Sequence, residues 1–372
     1  MNKDNSIEVF FSLLRAGLWE QGVRLLACGP VDFEAVYKLA AEQSVVGLVA
    51  AGLEHVEDVE VPKQAAFSFM AFVLALEKKN RAMNSFIAEL NKKLRDEGIC
   101  AVLVKGQGVA QCYERPLWRA CGDVDLFLDA ENYERAKVFL GAMASSVEKE
   151  GEHSKHLGMS FGQWVVELHG TLSCGLSNRM DREIAEVQKD TFANGGVRVW
   201  MNGETEVLLP GVDNDVILIF THFLKHFYKG GLGLRQICDW CRLLWTFRSE
   251  IDLVLLEKRL RKMRLMSEWK AFGAFAVKYL GMPEEAMPLY DGGNCWKRKA
   301  KRILSFILMS GNFGHNRDNT FRSKPFLIRK AYSMCRRIGD VFNHARIFPL
   351  DSMRFLPSIL MNGVKSAAQG IG

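Results

Sequence analysis

Long apolar runs are missing from this chain. Nowhere do its 372 residues approach the ~20 consecutive uncharged apolar residues of a membrane-crossing helix. The N-terminal stretch MNKDNSIEVFFSLLRAGLWEQGVRLL has only a few apolar residues before Arg15, at helical spacing. A secretory signal needs a longer apolar core and a small-residue cleavage site, so a cytoplasmic protein with no membrane partner is expected. A disulfide framework is missing too. The nine cysteines are odd in number and scattered, which fits a reducing compartment. Cys238 and Cys241 form one C-x-x-C in an apolar helical stretch with no second pair, so packing is expected of them rather than metal or redox chemistry. With 9 prolines and 32 glycines the chain is neither collagen-like nor of low complexity, and 48% apolar residues exclude disorder. No internal repeat is present. The length allows two or three domains.

The formal net charge of +6 is unevenly spread. Between Lys297 and Arg354 stand fourteen Lys and Arg against three Asp and Glu, which leaves the rest of the chain acidic by five. A mildly acidic body therefore carries a basic C-terminal segment.

From Ile7 to about Leu90 the apolar residues recur at helical spacing, broken at Gly29-Pro30 and near Val61-Pro62. A charged amphipathic stretch, ALEKKNRAMNSFIAELNKKLRDEG, then ends at Gly98. Beyond it the texture changes. Ala101–Val104 reads as a strand, Gln107–Tyr113 as a helix, Val124–Leu128 as a strand and 130–142 as a helix. HLGMSF and WVVELH follow as a hairpin, with Gly162-Gln163 suited to a type II′ turn. Pro210-Gly211 closes this unit, and Asp213 is a candidate N-cap for a helix running to Gly230-Gly231. Helical spacing continues to about Leu280 and into the basic segment, with a loop at GNFGHNRDN. The expectation is a helical region at 1–97, an α/β core at 98–210 and a helical region at 211–372.

The chemistry concentrates in AVLVKGQGVAQCYERPLWRACGDVDLFLD, residues 101–129. Asp123 and Asp125 are two apart on an extended chain, so both carboxylates project to one face. Like charges so placed repel unless a cation lies between them. Mg²⁺ suits them, since it takes one or two carboxylates plus phosphate oxygens. Lys105-Gly106 opens a helix whose N–H donors favour phosphate. Glu167 lies among apolar strand neighbours, where an unpaired carboxylate is costly. Beside the Asp pair it would complete a set able to hold two metals for an in-line phosphoryl displacement. Two other phosphate signatures are absent. No G-x-x-x-x-G-K-[ST] occurs. Gly106-x-Gly108 is followed by Gln at 111 rather than a small residue, and the acids open the second strand instead of ending it.

With these residues in view, the segment resembles the hallmark of an uncharacterised nucleotidyltransferase family whose core is that of the DNA polymerase β-type nucleotidyltransferases. That pattern is KG, a spacer, R-x-x-GDxD and a later ELH. Lys105-Gly106 takes the glycine-motif place, Asp123 and Asp125 the D-x-D place, and Glu167 the third-acid place. Arg119 matches the arginine before GDxD, and His169 the histidine after the third acid. The likeness extends to FFSLLRAGLWE and to the His…Asp region after Pro210. It implies an α+β fold with a polymerase β-like core. It also implies transfer of a nucleoside monophosphate from an NTP to the hydroxyl of an unknown small-molecule, sugar or protein acceptor. Asp123, Asp125 and Glu167 would be catalytic and would ligate two Mg²⁺. Lys105, Gly106, Gln107, Arg119 and His169 would bind the nucleotide. Gln107 stands where the wider superfamily has serine, so a triphosphate contact is lost that Lys105 would replace. Arg119 would either neutralise phosphate or brace the Asp loop through a bidentate pair.

Outside this constellation, His222 and His226 stand at i,i+4 on one helix without a HExxH pattern, which suits polar packing or cleft lining. Arg235 and Asp239 are expected to pair, and His153 and His156 to lie on the surface. Two other functions compete: a catalytically degenerate nucleotidyltransferase-fold regulator, and an RNA-binding or RNA-modifying protein using the basic segment. Nucleic acid is the less favoured partner, because aromatic residues are few in that segment.

Overall fold

The structure, a computed structural model, describes residues 3–150, 155–311 and 339–357. Helices come first, as the spacing predicts: α1 (Lys3–Trp19), α2 (Phe33–Glu42), α3 (Val46–Leu53) and α4 (Lys63–Asp96). The Asp32 carboxylate caps α2 by accepting the Ala35 N–H at 3.0 Å. Next come β1 (Val102–Val104), α5 (Gly106–Ala110), β2 (Val124–Phe127), α6 (Ala130–Gly141), β3 (Ser146–Val147), β4 (His156–Phe161) and β5 (Trp164–His169). The helix expected over Gln107–Tyr113 is shorter, ending in a turn after Ala110. The hairpin falls where its sequence puts it. Gly162 has φ +59° and Gln163 is not among the positive-φ residues, as a type II′ turn requires.

The five strands form one mixed sheet in the order β1-β2-β5-β4-β3. β2 and β5 run parallel and the other neighbours antiparallel. Alternation then sorts the side chains. Leu103, Val124, Leu126, Leu157, Met159, Val166 and Leu168 face an apolar layer formed with α4 and α6. The opposite face carries Val102, Val104 and Phe127 at one side of the sheet, and the polar residues of β2, β4 and β5 alongside them.

Between His169 and Pro210 the sequence reading draws no individual elements. The structure has α7 (Asn178–Ala193) and a second hairpin, β6 (Val197–Asn202) with β7 (Thr205–Pro210). Helices α8 (Val212–Lys229), α9 (Leu234–Thr246), α10 (Leu253–Met263), α11 (Met266–Leu280) and α12 (Asn294–Ser310) follow. The N-cap of α8 is Gly211 rather than Asp213. Asp213 lies in the first turn, where a negative charge suits the helix dipole, and its carboxylate accepts the Asp252 N–H at 2.9 Å. The N-terminal helices, α8, α9, α11, α12 and helical residues 339–357 share one apolar core. Cys238 and Cys241 are fully buried in it, in line with packing. The expected loop GNFGHNRDN, beyond its first residue, lies outside the described residues with the rest of 312–338 in the basic segment, as does His153. No described helix is long and apolar enough to cross a membrane.

Candidate active site

The polar face of the sheet is written in the strand registers. Asp125 of β2 is the direct partner of Glu167 on β5, so their side chains rise side by side. His169, two residues beyond Glu167, shares that face, and across the antiparallel pair it stands opposite His156 of β4. Asp123 precedes β2 by one residue and lines the same cavity, which encloses about 540 Å³.

Lys105 reaches this face through an unusual backbone. Strand alternation would turn it toward the apolar layer behind the sheet, since Val104 already points to the polar face. Instead Lys105 has φ +59° and ψ −147°, a region almost reserved for glycine. This conformation swings the side chain back, and its Nζ donates to Asp125 Oδ1 at 2.8 Å. Gly106 follows at φ +43°, where a Cβ would come within 3.2 Å of Cys121 Sγ. Only glycine allows the turn and the 121–123 loop to approach so closely.

That loop is fastened from two sides. From α4, Asn80 Nδ2 donates to the carbonyls of Leu117 and Arg119 at 2.8 and 2.9 Å, and Lys79 Nζ to that of Cys121 at 3.1 Å. From α9, Asp239 accepts Arg119 Nε at 3.0 Å and Nη2 at 2.6 Å, and Tyr113 Oη–H at 2.8 Å. Arg119 is therefore a buried bidentate brace. Arg235, expected to pair with Asp239, instead donates Nη1 to the Ala120 carbonyl at 2.9 Å. Gln107 is buried with its side chain turned away, donating Nε2 to Asn80 Oδ1 at 2.9 Å. Its side chain supports α4 and does not line the cavity.

The electrostatics divide the carboxylates. Burial alone would push the Asp125 carboxyl up, but the Lys105 ammonium and the hydrogen bond from His169 hold it well below the usual carboxylate range. His169 Nε2 lies 2.7 Å from Asp125 Oδ1. Burial outweighs that carboxylate and keeps the imidazole neutral, with a lowered pKa. Glu167 is held low chiefly by the His156 imidazole, whose Nε2 is 3.0 Å from Oε2. His156 was expected on the surface; although partly exposed, it lines the cavity because its register partner is His169. Asp123 differs from its neighbours. Its side chain is solvent-accessible within the cavity and makes no hydrogen bond or ion pair among the described residues. Partial desolvation by the cavity walls, then the Asp125 charge, raise its pKa.

The facing wall is helical and cationic. His222, Lys225 and His226 line it from α8, and Arg235 from α9. Lys225 has no hydrogen-bond or ion-pair partner among the described residues, and burial followed by the nearby Lys105 charge lowers its pKa. The His222 and His226 Nε2 atoms are 3.1 Å apart. Desolvation, with the Lys225 and Lys105 charges, takes His226 down to about 4, and burial, then the Lys105 charge, holds His222 well below its ordinary value, so both imidazoles are neutral at pH 7. Lys225 is the residue that sequence reasoning missed. Its signal was a lysine set between two histidines in the otherwise aromatic and aliphatic run HFLKHFY.

Acids on strands thus confront cations on helices across one cavity, an arrangement suited to a divalent cation and a polyphosphate together. Neither the curated proteins nor the solved structures offer a significant match to the chain. The family model described as "Uncharacterised nucleotidyltransferase" does match, over residues 29–281. That span takes in both walls of the cavity and leaves out the FFSLLRAGLWE segment; the chain belongs to this nucleotidyltransferase family.

Proposed function

We propose that the protein is a Mg²⁺-dependent nucleotidyltransferase that moves a nucleoside monophosphate from an NTP to a hydroxyl of an acceptor. Residues 98–210 would form a polymerase β-like core, between helical regions at 1–97 and 211–372. The observation that carries this reading is the in-register Asp125–Glu167 pair beside Asp123, facing Lys225 and Arg235 across the cavity. Asp123 supplies the test of fit. A carboxylate without a partner, its pKa raised partly by a second carboxylate, is a site short of positive charge.

Asp123, Asp125 and Glu167 would hold Mg²⁺, which when bound neutralises phosphate charge and stabilises the attacking and leaving oxygens. Lys105 has a flexible four-carbon stem, so its ammonium can pass from Asp125 to a phosphate oxygen. Because Gln107 faces α4, the triphosphate grip falls to Lys105, Lys225 and Arg235. Glu167, kept ionised by His156, takes the proton of the acceptor hydroxyl as its oxygen attacks the α-phosphorus and pyrophosphate leaves. Neutral His222 and His226 offer hydrogen bonds to base, sugar or acceptor without adding charge. Arg119 acts through the loop it braces. The test is the double substitution Asp123→Asn with Asp125→Asn. It should abolish Mg²⁺-dependent NTP binding while circular dichroism stays unchanged; undiminished binding would remove the reading.

A further inference from the structure

His156 and His169 converge on Glu167, and the phosphoryl chemistry does not require either imidazole as a metal ligand. The ligand atoms of all three lie within 4.8 Å of one another. His156 Nε2 is 3.0 Å and His169 Nε2 3.6 Å from Glu167 Oε2. First-row divalent ions bind such atoms at about 2.0–2.2 Å, which puts adjacent ligands roughly 3–3.5 Å apart. The His156–Glu167 separation has that spacing, the His169–Glu167 separation is slightly longer, and all three atoms, within 4.8 Å of one another, need only small side-chain rotations to close on one ion. The sheet fixes the arrangement: His156 and His169 are direct partners across β4 and β5, and Glu167 is two residues from His169 on the same face. Gly158 is the β4 partner of Glu167, and the Glu148 carboxylate from beyond β3 lies over it, 2.5 Å from where a Cβ would stand, so only glycine leaves room for that acid at the edge of the group.

Charge counting points the same way. Asp125 Oδ1 at 2.7 Å and Glu167 Oε2 at 3.6 Å both converge on His169 Nε2. That nitrogen carries at most one proton, which serves Asp125, while Glu167 has His156 Nε2 at 3.0 Å as its own partner. Asp123, Asp125 and Glu167 crowd this face, and Lys105 is the one cation that pairs with any of them among the described residues.

We propose that His156, Glu167 and His169 form a two-histidine, one-carboxylate site for a first-row transition cation. The imidazole donors select such a cation over Mg²⁺. Glu167 contributes Oε2, which faces both imidazoles, and Oε1 remains for the nucleotidyl-transfer chemistry. The site goes beyond the nucleotidyl-transfer reading, shares only Glu167 with its metal ligands, and needs no nucleotide to fill.

The test uses the full chain and Co²⁺ alone, followed by visible d–d absorption and by calorimetry in excess Mg²⁺. One Co²⁺ should bind per chain with an absorption band that Mg²⁺ does not displace. His156→Ala should weaken binding about tenfold or more, since even outer-shell partners of a metal ligand carry factors of about 10–100. Asp123→Asn should bind Co²⁺ as the wild type does, although it impairs nucleotide binding, so the two readings fail separately. Should His156→Ala lose its fold, His156→Gln supplies the same comparison. Absence of Co²⁺ binding, displacement by Mg²⁺, or an unchanged affinity and spectrum in the His156 variants would overturn the site.

Discussion

Lys105 sits in a backbone conformation that suits glycine, and a pair of substitutions isolates what that costs. Lys105→Ala and Lys105→Gly delete the same ammonium and leave the same buried Asp125, whose side chain is only 4% exposed. Both should lose stability, on the order of 3–5 kcal/mol for breaking a buried ion pair. They differ in the backbone. Alanine at φ +59°, ψ −147° keeps a strain of about 1–3 kcal/mol that glycine relieves. Glycine gives back about 0.4–1 kcal/mol through its freer unfolded chain. The glycine variant should therefore be the more stable by about 0.5–2 kcal/mol, read as a higher urea midpoint at fixed pH. If alanine proves equal or better, Lys105 is not strained, and the idea that the backbone is bent to aim its ammonium at Asp125 fails. Neither variant should bind an NTP as tightly as the wild type.

Arg119→Ala strands a buried Asp239 with Tyr113 as its remaining donor. It should cost about 3–5 kcal/mol in urea unfolding, with Arg119→Lys recovering only part because an ammonium cannot form the two-pronged pair; an effect below 1 kcal/mol would contradict the brace. Glu268 of α11 is buried against Tyr228 and Asp351, and burial, then the Asp351 charge, raise its pKa from 4.5 to about 8. The folded state therefore holds a proton that the unfolded state has released, and this contribution is complete below about pH 4.5 and fades as pH rises to about 8. Glu268→Gln should flatten the stability profile across that window by roughly 1 kcal/mol per pH unit, and superimposable profiles would refute the assignment.

The acidic wall was legible because strand chemistry is local. Asp123 and Asp125 are two residues apart, Glu167 and His169 likewise, and only the parallel pairing of β2 with β5 had to be supplied. The cationic wall was not. Lys225 and Arg235 arrive on helices about 100 residues later, and nothing in their own segments says which sheet they will face. His156 is partly exposed, as expected, but its place on the cavity wall is legible only once its register partner, His169, is known. α7 was missed because its apolar stripe is thin, with Met180, Ile184, Val187 and Thr191 its buried residues. Its neighbouring hairpin turns on Gly203-Glu204, the same glycine-first signal that marked β4 and β5. Gln107 shows the limit of motif transfer: its place in the pattern suggested nucleotide contact, while burial beside Asn80 gives it a structural task.

The central claim rests on calorimetric titration of the full chain with each of the four NTPs, with and without Mg²⁺, at moderate salt. Binding of at least one NTP that needs Mg²⁺ and disappears in the Asp123→Asn, Asp125→Asn double variant is the predicted result. No binding of any NTP in either condition, or binding indifferent to Mg²⁺ and to both aspartates, would contradict it.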